Sequence, residues 1–158
     1  MRYRIAAVTL LCCFVTISLF LSAEPLTMVE AAPPPSDFED TLVAGVIAPT
    51  ALAFTPDGRM LITTQQGEVR IYQNGALLTA PAININSRLC TNSERGLLGI
   101  TVDPNFASNR FIYLYYTFNK FNTCPLGQPT NSSNPVNRAS RFILNDNNTI
   151  NASSKCPG

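Results

Sequence analysis

The run Gly96-Leu-Leu-Gly-Ile-Thr-Val-Asp-Pro-Asn-Phe106, continued by Asn109-Arg-Phe-Ile-Tyr-Leu-Tyr-Tyr-Thr117, decides how the chain is read. Two short runs of β-branched, aromatic and aliphatic residues flank an Asp-Pro-Asn turn, which is the signature of consecutive strands. Gly96 and Gly99 enclose two leucines, a pattern expected where a strand enters a crowded place and a side chain would hold neighbouring backbone away. Working backwards, Ala51-Leu-Ala-Phe-Thr-Pro-Asp57 followed by Met60–Thr64 has the same plan as Gly99-Ile-Thr-Val-Asp-Pro-Asn105 followed by Phe111–Phe118. Pro56 and Pro104 lie 48 residues apart. A period of ~40–50 residues containing about four short strands is that of a β-propeller blade. A β-sandwich with similar hairpins satisfies the same spacing, since two copies do not prove a repeat.

Besides Met60–Thr64 and Phe111–Phe118, strands are expected at Thr41–Val46, Ala51–Phe54, Val69–Tyr72, Ala82–Ile85, Leu97–Val102 and Ser140–Leu144, and no segment longer than a turn has helical periodicity. The fold class is therefore all-β. Pro56-Asp57-Gly58, Gln65-Gln66-Gly67 and Asn74-Gly75 are the expected turns, because proline presets the first turn dihedral and glycine accepts a positive φ. Asn119 to Asn137 reads as a long polar excursion tethered by Cys124. The uncharged strand Phe111–Phe118 has high β-propensity, and half of it expects a neighbouring sheet, so the chain alone is expected to be aggregation-prone.

The N-terminus reads as a processing signal. Arg2 and Arg4 precede an uncharged, mostly apolar run of 17 residues, Ile5 to Leu21, and small residues offer cleavage after Ala31 or Ala23. An uncleaved anchor is the alternative, although the run falls short of the ~20 residues that span a bilayer. Either reading exports the rest, to an extracellular or periplasmic location. The expected organisation is a signal over 1–31, a proline-rich linker over 32–40 and a β domain over 41–158, with no membrane contact after cleavage.

Export bears on the cysteines. Cys12 and Cys13 belong to the signal, which leaves Cys90, Cys124 and Cys156 in an oxidising compartment. Cys90 with Cys124 is the favoured loop-to-loop disulfide, and Cys156 then seeks a partner on another chain or beyond residue 158. No C-x-x-C spacing suggests zinc. Asn131-Ser-Ser, Asn147-Asn-Thr and Asn151-Ala-Ser are glycan acceptors if the source is eukaryotic, and otherwise Asn/Ser-rich loop composition.

Composition excludes whole classes of function. The 158 residues carry 11 Lys+Arg against 10 Asp+Glu, a net charge of +1, which offers no basic patch for nucleic acid. There is no histidine, so no imidazole base and no histidine metal ligand. Glu94 and Arg95, immediately before Gly96, sit at a strand entrance; by default they are a solvated loop ion pair worth little, and in a propeller they would lie at the rim of the central channel.

The segment from Leu42 resembles the glucose/sorbosone dehydrogenase family, the soluble quinoprotein sugar dehydrogenases. The resemblance is carried by Ile47-Ala-Pro-Thr-Ala-Leu-Ala-Phe54, the Pro-Asp-Gly turn, Gly96 to Phe106, the aromatic strand, and Ser140-Arg-Phe142 within Asn137-Arg-Ala-Ser-Arg-Phe142. It implies a six-bladed propeller that binds pyrroloquinoline quinone (PQQ) and calcium at its channel mouth and oxidises the anomeric carbon of an aldose. The residue two places before Gly-Leu-Leu-Gly is a glutamine at the family's substrate and cofactor site; here it is Glu94, which accepts hydrogen bonds but cannot donate as an amide does. The family's catalytic histidine and calcium ligands fall after the second blade. On this resemblance the chain is expected to be an N-terminal fragment holding about two blades, with Glu94 and Arg95 near substrate and cofactor and no catalytic residue or metal ligand of its own. The expected partner is a small sugar. A binding propeller of the same fold and an inactive truncated product are the alternative functions.

Overall fold

The computed structural model describes residues 32–126 and 134–151. Two compact units divide between Thr41 and Leu42. Of the first, the described part contains a single turn in which the Phe38 N–H donates to the Pro35 carbonyl at 2.9 Å. The expected signal over 1–31 lies outside the described residues, as do Asn131 and Cys156.

The second unit is built from two antiparallel sheets. The first contains β1 (Pro49–Phe54), β2 (Met60–Thr64), β3 (Glu68–Gln73) and β4 (Ala76–Leu77) in that order, with β5 (Ile83–Asn84) paired to β3 beside β4. The second is β6 (Leu97–Val102), β7 (Phe111–Phe118) and β8 (Val136–Ile143) in that order. Turn chemistry sets the connections. At Thr55 to Arg59, Thr55 N–H donates to the Arg59 carbonyl and Gly58 N–H to the Thr55 carbonyl, with Gly58 at φ +86°. Asn74 and Gly75 both take positive φ, 52° and 78°, giving the two-residue hairpin turn that matches strand twist. A one-turn helix, Phe106–Asn109, fills the β6–β7 connection.

Alternation along the strands places the core between the sheets. Leu61, Val69 and Ile71 of the first sheet and Leu97, Ile112, Leu114, Tyr116 and Phe142 of the second are buried in one cluster, with Phe106 and Leu144. Each such side chain contributes roughly 1.5–3 kcal/mol by leaving water. On the opposite face the outer strand β1 stays open, with Leu52 58% and Phe54 66% exposed, while Ile62 of β2 is buried.

Two expected strands differ from what forms. Thr41–Val46 is not a strand: no strand among the described residues takes its hydrogen bonds, and Leu42 and Val43 remain exposed. The last strand starts at Val136 and not at Ser140, because Val136, Asn137, Arg138 and Ala139 pair in register with Phe118, Thr117, Tyr116 and Tyr115. A long, fully extended β7 offers backbone groups that the polar Asn-Arg segment satisfies despite its low strand propensity. The outward half of β7 is also less bare than its composition suggests. The Arg141 guanidinium lies 4.3 Å from the centre of the Phe111 ring, and the Tyr113 hydroxyl donates to Asp103 Oδ2 at 2.6 Å. That hydrogen bond lowers the Asp103 pKa and raises that of Tyr113.

Candidate functional site

Where the two sheets meet, the end of β2 and the start of β6 come into backbone contact. Leu97 N–H donates to the Gln65 carbonyl at 3.2 Å, and Thr117 N–H donates to the Gly96 carbonyl at 2.9 Å. Gly96 is at φ +145°, and a Cβ on it would stand 2.3 Å from the Gln65 carbonyl oxygen. The crowding expected from the glycines is therefore real at Gly96. Gly99 differs: its Cβ would meet only the Tyr115 Cβ, at 3.4 Å, and its place is a register irregularity in β6.

This contact shapes the loop ahead of β6. Ser93 adopts φ 58°, and the Gln65 Nε2 donates to the carbonyls of Ser93 (2.7 Å) and Arg95 (3.0 Å). Glu94, between them, is exposed. Arg95 does not pair with Glu94. Its Nη1 donates to the Pro125 carbonyl at 2.6 Å, while the Asn92 Nδ2 donates to the Cys124 carbonyl at 2.9 Å. Cys90 and Cys124 form a disulfide that closes a 34-residue separation and holds the Cys124–Pro125 segment beside this loop.

Glu94 and Arg95 line an open cleft of about 300 Å³ together with Leu98, Thr117, Pro135 and Asn137. The Thr117 hydroxyl donates to Asn137 Oδ1 at 3.2 Å, which leaves the Asn137 amide N–H groups as donors. The cleft thus sets a carboxylate acceptor beside an amide donor, the pair of functions that vicinal hydroxyls satisfy. Among the described residues no three His, Cys, Asp or Glu side chains converge to hold a metal. Thr117 and Asn137 lie within quoted stretches of sequence but were not read as site residues; they reach the cleft through the pairing of β7 with β8, while Gln65 and Asn92 bond to the loop beside it. Of the other candidate positions, Asn147 is exposed in the Asn145–Thr149 turn, its Oδ1 accepting from the Thr149 hydroxyl at 2.6 Å, and Asn151 follows the bridge between Leu144 and Ile150.

The family model for glucose/sorbosone dehydrogenases matches residues 46–152, a span that includes both sheets and the cleft. The chain belongs to this family. It is 41% identical over 70 residues to an aldose sugar dehydrogenase of Escherichia coli, covering 44% of this chain and 19% of that protein. Among solved structures, the soluble aldose sugar dehydrogenase of Escherichia coli in its apo form superposes with a TM-score of 0.52 at 30% identity, over 66% of this chain and 28% of that one. The PQQ-bound aldose sugar dehydrogenase of Streptomyces coelicolor gives a TM-score of 0.54 at 21% identity, over 72% of this chain and 30% of that one, a likeness of fold. The two antiparallel sheets are therefore similar to those of the sugar dehydrogenase propellers. The chain spans between 19% and 30% of the length of these relatives.

Proposed function

We propose that this chain supplies two blades of an exported, six-bladed, quinone-dependent aldose dehydrogenase, and that its own share of the site is a sugar contact made by Glu94. The observation that carries this reading is the carboxylate of Glu94, free of any ion pair among the described residues, in a cleft with the Asn137 amide and inside the family segment. A carboxylate that accepts from a sugar hydroxyl makes a charge-assisted hydrogen bond, stronger than a neutral one.

The same residues do not fit the quinone or calcium. PQQ is polyanionic, Glu94 would repel it, and Arg95, the one cation among the described residues that line the cleft, already donates to the Pro125 carbonyl. A single carboxylate is a poor calcium site. Quinone and calcium therefore fall to other side chains. With no histidine in the 158 residues, the chain as it stands also lacks the imidazole that the resemblance assigns to proton removal.

Titration of the full, oxidised chain with D-glucose tests the proposal. We expect weak, millimolar binding that Glu94→Ala lowers about tenfold, equivalent to ~1.4 kcal/mol, with an unchanged far-UV spectrum. Equal affinity in the two proteins would remove Glu94 from the sugar site. Addition of PQQ, calcium and a redox dye tests the assignment of quinone and calcium to other side chains: the chain alone is expected to reduce no dye, and turnover would contradict that assignment.

A further inference from the structure

The geometry points to Gln65, on the neighbouring sheet, as the positioning residue that sets the direction of Glu94 in the cleft. This rests on the reading of Glu94 as a sugar contact. A glutamine amide has two N–H donors on one nitrogen, and here they go to the carbonyls immediately before and after Glu94, those of Ser93 at 2.7 Å and Arg95 at 3.0 Å. The peptide unit that enters Glu94 and the one that follows Arg95 are therefore held by one side chain, with Glu94 between them. The backbone of Gln65 is fixed independently: its N–H donates to the Ala48 carbonyl at 2.9 Å and its carbonyl accepts from Leu97 N–H at 3.2 Å. The donor amide thus stands on a rigid base, the end of β2, and not on the loop it holds.

Ser93 gives the clamp a reason. A serine at φ 58° is in a backbone region that non-glycine residues enter at a cost, and it needs surrounding contacts to stay there. The Gln65 hydrogen bond to its carbonyl is such a contact. Arg95 is drawn the other way, to the Pro125 carbonyl, so the loop is fixed on both sides while the Glu94 carboxylate has no partner among the described residues. Holding a charged group in place before the ligand arrives removes an ordering cost from binding.

The test uses the full oxidised chain and D-glucose. Gln65→Met removes both donors and leaves the backbone hydrogen bonds in place. Two results are expected: amide exchange in the 92–96 segment becomes about tenfold faster while the β2–β3 and β6–β7 ladders keep their protection, and the glucose Kd rises about tenfold. Because Gln65 acts through Glu94, the double variant Gln65→Met/Glu94→Gln should bind no more weakly than Glu94→Gln alone, a non-additivity that a general loss of stability would not produce. Gln65→Glu, which keeps the length but faces two carbonyls with acceptors only, should reproduce the exchange result. Wild-type binding combined with normal exchange in Gln65→Met, or additive losses in the double variant, overturns the role of Gln65 alone. Failure of the wild-type chain to bind glucose overturns the sugar reading of Glu94, and the proposal with it.

Discussion

Gly96→Ala is expected to lower the unfolding free energy by about 3–5 kcal/mol, among the largest losses available to a single substitution in a chain of this size. Two costs combine. The backbone at φ +145° is a region essentially reserved for glycine, which alone costs an alanine roughly 1–3 kcal/mol. The added methyl would also stand 2.3 Å from the Gln65 carbonyl oxygen, and that oxygen cannot swing aside because it accepts the Leu97 N–H and belongs to the turn after β2. Relief requires separating the first sheet from β6, which opens the shared core around Leu61 and Leu97. The loop bearing Glu94 would move with it, so sugar binding is expected to fail together with stability. Gly99→Ala is the matched control. Its methyl would meet the Tyr115 Cβ at 3.4 Å, an ordinary contact, and the loss should stay below about 1 kcal/mol. Urea unfolding of the three proteins, followed by circular dichroism, measures both values. A Gly96→Ala chain as stable as Gly99→Ala would show that the junction between the sheets gives way more easily than its geometry indicates.

The contrast between the glycines also shows what the sequence made legible. Both stand beside leucines in the same motif, and nothing local distinguishes them; only the approach of Gln65 from another sheet does. Strands β2, β6 and β7 were readable to the residue, since each is an apolar, β-branched or aromatic run closed by proline, glycine or asparagine. Thr41–Val46 has comparable composition but no adjacent strand, and a strand exists only through its pairing. The start of β8 was hidden for the opposite reason, because its polar residues are recruited by β7. At the site, Glu94 was visible through its place before Gly-Leu-Leu-Gly. Its isolation from Arg95 was not, because the arginine is claimed by a carbonyl 30 positions further along the chain. Another pairing escaped the repeat itself. An arginine stands immediately before the second strand of each copy, Arg59 before β2 and Arg110 before β7, but the connecting turn and one-turn helix differ in length, so alignment on Pro56 and Pro104 does not bring them together.

Those two arginines carry the second large prediction. Arg59, with only 3% of its side chain exposed, holds Asp57 through Nε to Oδ1 at 3.0 Å and Nη2 to Oδ2 at 2.7 Å. Its Nη1 donates to the Asn145 carbonyl at 3.1 Å and to Asn148 Oδ1 at 2.9 Å. Arg110 donates to Asp57 Oδ2 at 2.8 Å and pairs with Asp146, and both guanidinium groups lie against the buried Phe106 ring, at 5.7 and 5.3 Å from its centre. Asp57 and Arg59 come from the first sheet's hairpin and the other groups from the second sheet, so the cluster fastens one to the other. Arg59→Met should cost about 2–4 kcal/mol, because it strands the Asp57 carboxylate and removes the donor to the Asn145 carbonyl; the value is set below that of a fully enclosed pair because Asp57 is 38% exposed. Asp57→Asn, which keeps part of the hydrogen bonding, should cost less. The pH dependence separates charge from packing. Hydrogen bonds from Arg59, Thr55 and Arg110 hold the Asp57 carboxyl far below the ordinary aspartate range against the opposing effect of desolvation. A carboxyl with a folded pKa below its unfolded value of ~3.9 contributes stability that is fully present above that pH and is lost as the pH falls through it toward the folded value. Below about pH 4 the wild-type urea midpoint should therefore fall more steeply than that of Asp57→Asn, and the gap between the two should narrow progressively as the pH drops toward the folded value. Parallel profiles would show that the charge of Asp57 contributes nothing to holding the sheets together and that packing of the two arginines on Phe106 does so alone.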